Sequence, residues 1–273
     1  MWSAGERIDV VSAAILGALQ GLTEFLPVSS SGHVAIGALL FGLEDPPLTL
    51  SVALHAGTLL ATVLVFRRDL RCLLADAFAG LRRPKELLAS PSGRTLAAVV
   101  VATLPTVAIA LALRDRVEAW GQRPWIVGLC LLASAAAVLT TRYGHPTRDE
   151  LSLPQALVVG VAQGLAVLPG LSRSGSTIAA AMLLGMRGPA AFRFSFLLSL
   201  PAVAGAVLLE IAHPDALNGL PTALWIGGAF AALVGLGALL ALRNVVIQGR
   251  LWAFALYLVP VGLGLLAWDL WRG

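Results

Sequence analysis

Gln20-Gly-Leu-Thr-Glu24-Phe-Leu-Pro-Val-Ser29-Ser30-Ser31-Gly-His33 is a polar stretch, broken by Pro and Gly, set between the apolar runs 10–26 and 33–43. Past the middle of the chain, Pro169-Gly-Leu-Ser172-Arg173-Ser174-Gly-Ser176-Thr177 stands in the same way between the runs 155–168 and 176–186. All four runs are short for a bilayer crossing, which takes about 20 apolar residues. Short apolar arms around a Ser/Gly loop read as a re-entrant hairpin that enters the membrane and leaves by the same side.

Six longer apolar runs lie near 48–66, 95–113, 124–141, 193–211, 222–242 and 251–270. A segment in lipid must satisfy its own backbone polar groups, so each is expected to be a helix. Composition agrees: 58% of the 273 residues are hydrophobic and 12% charged, against about 25% charged in ordinary soluble domains. The mean hydropathy is +0.86. The expected fold is an all-α integral membrane protein with six spanning helices and two re-entrant helical hairpins. Counting the four short runs as full spans gives ten helices, the alternative layout.

The formal charge is +4, yet the basic residues fall between apolar runs and form no continuous patch. They signal topology rather than nucleic acid. In the six-span layout 13 Lys and Arg residues fall on one side and 5 on the other, with Arg173 inside a hairpin. The richer side, which includes the basic loop 67–94, is expected to be cytoplasmic. The first hairpin then dips in from outside and the second from the cytoplasm. Cys72 and Cys130 form no metal or redox motif, and no disulfide is expected between them. The first 25 residues do not read as a cleavable signal, because the basic n-region is thin and Glu24 follows the apolar stretch closely.

The sequence matches itself at an offset of 143 residues. Gly17, Gln20, Gly21 and Leu22 fall on Gly160, Gln163, Gly164 and Leu165; Ser29, Ser31 and Gly32 fall on Ser172, Ser174 and Gly175; Gly42 falls on Gly185. A hairpin plus three spans, repeated, divides one membrane domain into residues 1–150 and 151–273. Three is odd, so the halves are expected in inverted orientation. Recurrence of small residues in packed membrane helices is the plainer alternative. The match fails where chemistry is concentrated: Glu24 faces Val167, Ser30 faces Arg173 and His33 faces Ser176.

Glu24 and Gln20 are four apart and share a helix face. An ionisable group at membrane depth is a functional candidate, and a buried carboxyl satisfied by Arg is the alternative. Ser29, Ser30 and Ser31 read as a turn and N-cap, or as nucleophile and binding hydroxyls. His33 reads as a core histidine, or as acid, base or nucleophile. In the second loop, small residues before a helix start expose backbone N–H groups to an anion. Arg173 adds a planar fork suited to phosphate, unless it is buried only to pair with Glu24. Ser172, Ser174, Ser176 and Thr177 add hydroxyl donors. His55, in Leu54-His-Ala-Gly-Thr58, reads as a weaker site candidate, with a helix-packing histidine as the plainer reading. No Walker, zinc or Rossmann motif is present. Together these groups suit a phosphate ester or anhydride. Among lipid-facing helices the natural substrate is an amphiphilic lipid phosphate.

On these two motifs the sequence resembles the undecaprenyl-diphosphatase family, the bacitracin-resistance membrane phosphatases, over nearly its whole length. The resemblance implies hydrolysis of undecaprenyl diphosphate to undecaprenyl phosphate and inorganic phosphate. It also implies recycling of the peptidoglycan lipid carrier at a bacterial inner membrane, with the active site open to the outer, periplasmic face. By matching positions, Glu24, Ser30, His33 and Arg173 look like the catalytic set. Gln20, Ser29, Ser31, Ser172, Ser174 and Thr177 stand as substrate-binding candidates. The resemblance implies dependence on Mg²⁺ or Ca²⁺, with Glu24 as metal ligand. Gln20 stands where the family pattern takes Glu or Gln, and an amide is the weaker metal ligand. The motif leaves open whether serine, histidine or water attacks. The expected partner is a polyprenyl diphosphate lipid in the bilayer, with a homodimer left open. A transporter or flippase of an anion or lipid phosphate is the competing reading, because inverted repeats with broken helices are typical of transporters.

Overall fold

The computed structural model describes residues 9–41, 48–82, 87–144, 147–212 and 222–272. Arg7, Gly42, Arg83 and Lys85, used in the sequence reading, lie outside them. The described residues are helical, apart from turns and one isolated bridge.

The first polar stretch lies between α1 (Val10–Phe25) and α2 (Ser30–Leu40), and the second between α7 (Leu153–Leu165) and α8 (Arg173–Leu183). Within each pair the arms pack on each other. The paired helices begin 143 positions apart, at Val10 and Leu153 and at Ser30 and Arg173. The intervening helices are α3 (Leu48–Val65), α4 (Arg67–Arg82), α5 (Pro91–Gly121) and α6 (Pro124–Thr140). After the second pair come α9 (Gly188–Ile211), α10 (Thr222–Ile247), a 3₁₀ turn (Leu251–Phe254) and α11 (Ala255–Arg272).

Among the described residues, four helical stretches are long and apolar enough to cross a membrane: Pro91–Val117, Gly188–Leu209, Thr222–Ile247 and Leu251–Trp271. A fifth is counted if Thr49–Val65 and Arg67–Gly80, bent by 80°, form one span. The predicted span at 124–141 is a helix of 17 residues, the low end of what reaches across about 30 Å of hydrocarbon. Large apolar side chains stand on the outside, with Leu104, Leu233 and Leu256 each about two-thirds exposed or more. Such a surface suits lipid and not water. The chain is a multi-pass helical membrane protein.

The loop expected at 67–94 is corrected by α4. Leu70 and Leu73 turn toward the core while Arg67 and Arg68 are exposed, so an amphipathic period is hidden under a polar average. Asp76 accepts hydrogen bonds from Ser90 (2.6 Å) and Ser92, tying α4 to the start of α5.

Packing pairs arms with distant spans. The arm α1 lies against α10, and α7 lies against α5. Glycine makes both approaches close: a Cβ on Gly17 would fall 2.1 Å from Gly227 O, and one on Gly160 would fall 2.1 Å from Ala102 O. Any side chain there would force the backbones apart. The ends of the second hairpin are joined, since Thr147 N and Arg148 N donate to Gly185 O (2.9 Å each) and Arg187 N donates to Arg148 O (2.7 Å). At that same end Arg94 pairs with Glu150, Arg187 with Asp149 and Arg193 with Asp69. Below Glu24, Phe25 packs on Phe196, which packs on Phe192 and Phe66. This aromatic cluster fixes α1, the α3–α4 junction and α9 to one another.

Candidate active site

The turns of the two hairpins meet. Glu24, at the last turn of α1, is buried. Its Oε2 accepts from Ser30 Oγ at 2.6 Å and from Gln20 Nε2 at 3.1 Å. Its Oε1 accepts from Arg173 Nη2 in an ion pair between the hairpins. Ser30 and Arg173 are the first residues of α2 and α8. Two helix N-termini, each favourable to negative charge, therefore face one carboxylate.

The turns are held differently. Ser29 takes φ 69°, the left-handed region, and is the non-glycine residue among the described ones to do so. That conformation is costly without support. His33 supplies support, its Nδ1–H donating to Ser29 O at 2.8 Å. The imidazole Nε2 then accepts from Tyr257 Oη of α11 at 2.5 Å. In the second turn Ser172 has ordinary φ, and its Oγ accepts from Gly175 N at 3.1 Å as the helix cap. The left-handed place falls to Gly170 (φ 96°), where a Cβ would lie 2.5 Å from Val127 O. Ser134 of α6 anchors this turn: its Oγ accepts from Ser172 N (2.8 Å) and donates to Gly170 O (3.2 Å).

Between the turns lies a cavity of about 330 Å³. Its polar wall holds Glu24, Ser29, Ser30, Ser31, Ser172 and Arg173, joined by His55, Thr106 and Gln163. Its apolar wall includes Val167, Leu168, Leu171, Ala202 and Val203. The expected residues divide accordingly. Gln20 lies behind Glu24 and steadies it. Ser174 is buried, with its Oγ 3.4 Å from Ser172 Oγ. Thr177 is fully buried, bonded to Arg173 O (2.8 Å) and to Ser195 of α9 (2.5 Å). Gln20, His33, Ser174 and Thr177 are not among the residues lining the cavity. His55, the weaker candidate of the sequence reading, does line it.

Sequence reasoning missed Ser134, Tyr257 and Gln163. Ser134 and Gln163 are polar residues inside apolar runs, a signal available at the outset. Gln163 Nε2 donates to Leu198 O (3.3 Å) and lies 3.5 Å from Thr106 Oγ1, which leaves its buried Oε1 without a partner in the described structure. No group of three or more His, Cys, Asp or Glu that could cage a metal occurs among the described residues. The oxygens present fit a different kind of site. A carboxylate offers about four lone-pair positions, three of them used here by Glu24's donors, and Gln163 Oε1 is a free hard ligand. Mg²⁺ is commonly bound by one or two carboxylates with substrate phosphates completing its shell.

A family described as bacitracin resistance protein BacA matches residues 13–264. The chain is 38% identical over 267 residues to the undecaprenyl-diphosphatase of Desulforapulum autotrophicum, covering 94% of this chain and 97% of that one. It is 40% identical over 273 residues to that of Desulfosudis oleivorans, with coverage of 96% and 98%. It is also 37% identical over 262 residues to that of Korarchaeum cryptofilum, with coverage of 95% and 99%. Matches of this length and identity, carried by the motifs whose side chains meet at Glu24, make the chain a member of the BacA bacitracin-resistance protein family.

Proposed function

We propose that the chain hydrolyses undecaprenyl diphosphate to undecaprenyl phosphate and inorganic phosphate. This recycles the lipid carrier of peptidoglycan synthesis and confers bacitracin resistance. The observation that carries the reading is the meeting of Ser30 and Arg173 on the one carboxylate of Glu24, in a cavity with an apolar wall. A single phosphoryl group can touch both residues, and the polyprenyl tail has an apolar side along which to lie.

In the proposed reaction Arg173 and the N-termini of α2 and α8 hold the diphosphate oxygens. Ser30 Oγ attacks the terminal phosphorus, and its proton passes to Glu24 Oε2 along the 2.6 Å hydrogen bond. The anhydride P–O bond breaks, and lipid phosphate leaves with the electron pair. Water then attacks the phosphoserine, and Glu24 returns the proton to Ser30 Oγ. Gln20 orients Glu24, while Ser29, Ser31 and Ser172 bound the phosphate site. His33 holds Ser29 in its left-handed conformation, and Thr177 and Ser174 fix the start of α8. Mg²⁺ or Ca²⁺, held by Glu24 and Gln163 Oε1, would neutralise diphosphate charge when bound.

The finer architecture belongs to the same proposal: six spans and two re-entrant hairpins in inverted halves, 1–150 and 151–273. The α1–α10 and α7–α5 pairings, with glycine at matched positions, support it. The backbone bonds joining residues 147–148 to 185–187 support entry and exit of the second hairpin on one side. The ion pairs at that end fall among the basic residues assigned to the cytoplasm. The cavity then opens to the outer face of the bacterial inner membrane. The test is phosphate release from undecaprenyl diphosphate by purified protein supplied with Mg²⁺ or Ca²⁺. Release abolished by chelation is the expected result. No release, with lipid phosphate crossing vesicle bilayers instead, overturns the reading in favour of a flippase.

A further inference from the structure

Of the two histidines among the described residues, the structure treats them oppositely. His33 has both ring nitrogens engaged, Nδ1 by Ser29 O and Nε2 by Tyr257 Oη. His55, on α3, lines the same cavity as Glu24, Ser30 and Arg173. Its Nδ1 lies 2.9 Å from Ser51 O one turn earlier. A carbonyl only accepts, so Nδ1 carries the proton, and the neutral ring keeps its lone pair on Nε2. No hydrogen-bond partner of that Nε2 occurs among the described residues. The backbone of α3 thus fixes the tautomer as an orienting carboxylate would, and the basic nitrogen is left for something in the cavity.

We propose that His55 is the proton acceptor for the hydrolytic water, a catalytic residue within the phosphatase reading on which this inference rests. Water oxygen attacks the phosphorus of phospho-Ser30 and one water proton passes to His55 Nε2. The new P–O bond forms as the Ser30 Oγ–P bond breaks. The electron pair stays on Oγ, which takes the proton held by Glu24. Inorganic phosphate leaves, and the imidazolium returns its proton to solvent through the open cavity. The two steps therefore have separate bases: Glu24, bonded to Ser30, for the attack of serine, and His55 for the attack of water. Such division fits their surroundings, since Glu24 is already occupied by Arg173, Gln20 and Ser30.

The test uses the full-length protein in detergent with undecaprenyl diphosphate and Mg²⁺. For His55→Ala a fall in kcat of about 10²-fold or more is expected, with KM within about twofold. Phosphoserine at position 30 should accumulate, and added imidazole should restore part of the rate. His55→Gln keeps an N–H donor for Ser51 O and should stay folded while losing the same kcat without imidazole rescue. Wild-type kcat in the folded His55→Gln protein, or a loss confined to KM, overturns the assignment while leaving the phosphatase reading intact. Absence of phosphate release from the wild type overturns both.

Discussion

The first hairpin turn (26–29) and the second (166–172) share flanking glycines and a Ser-x-Ser-Gly, but they differ in length and are held in opposite ways. The first turn strains a serine into the left-handed region and ties it down with its own histidine, four residues on. The second gives the left-handed place to Gly170 and is fastened from outside by Ser134 of α6. One turn carries the carboxylate and the hydroxyl it orients. The other carries the guanidinium that pairs with that carboxylate and, in the proposed reaction, grips the phosphate. A reacting group must be poised, and local strain held by nearby bonds is one way to poise it. A gripping group must be rigid, and a buried anchor supplies rigidity.

Substitutions can break this comparison. The largest effect is expected for Ser30→Ala, which removes the nucleophile of the proposed reaction: kcat falls about 10³-fold or more, and no phosphoserine is trapped. Wild-type turnover in this variant would move the attack from the first turn to water. Arg173→Lys should cost about 10²–10³-fold, because a point charge cannot reproduce the planar fork. Near-full activity there would leave the second turn without its gripping role. Gly17→Val and Gly160→Val test what the hairpins share. Each must push back a carbonyl 2.1 Å from the new Cβ, so both should lose stability, toward the top of about 1–3 kcal/mol, read as equal drops in Tm. Unequal drops would break the proposed symmetry of the arms.

Ser134→Ala tests what they do not share. It strands the buried N–H of Ser172 at a cost of about 1–2 kcal/mol, and it should loosen the grip on phosphate before the chemistry, raising KM more than it lowers kcat. The smallest effect is expected where the second hairpin is closed at its basic end. Hydrogen bonding from Arg94 holds the Glu150 carboxyl below its ordinary 4.5. A carboxyl with a depressed value stabilises the fold above pH about 4.5 and loses that contribution as pH falls further. The pair is exposed, so acidification should lower Tm by only about 1 °C through this contact. That increment should vanish in Arg94→Ala.

Much of this is legible in the amino-acid sequence. The two polar stretches fall between packed pairs of short helices, and Ser30 and Arg173 begin helices 143 positions apart. Glu24, Ser30, His33 and Arg173 stand where the self-match fails, and three of them, Glu24, Ser30 and Arg173, meet on one carboxylate. Other features were hidden for identifiable reasons. The helix α4 has a polar average, so only its period and its contact with the core reveal it. Ser174 and Thr177 looked like further hydroxyl donors, but an 11-residue helix has a buried face and theirs turned inward. His33 sits in the motif and His55 in an apolar run, yet the cavity takes His55. Tyr257, 224 positions from His33, has no local signal at all.

What the amino-acid sequence determined by itself is the solvent and the frame. Apolar composition demands lipid, run length marks the longest apolar helices, and residue identity sets which charges have to find partners. The tertiary structure alone decided which side chains share a cavity. That choice depends on how α1 docks on α10 and α7 on α5, through contacts between residues more than fifty positions apart. A one-residue step along a helix turns a side chain by about 100°, so packing, and not proximity in the motif, placed the His55 imidazole at the cavity.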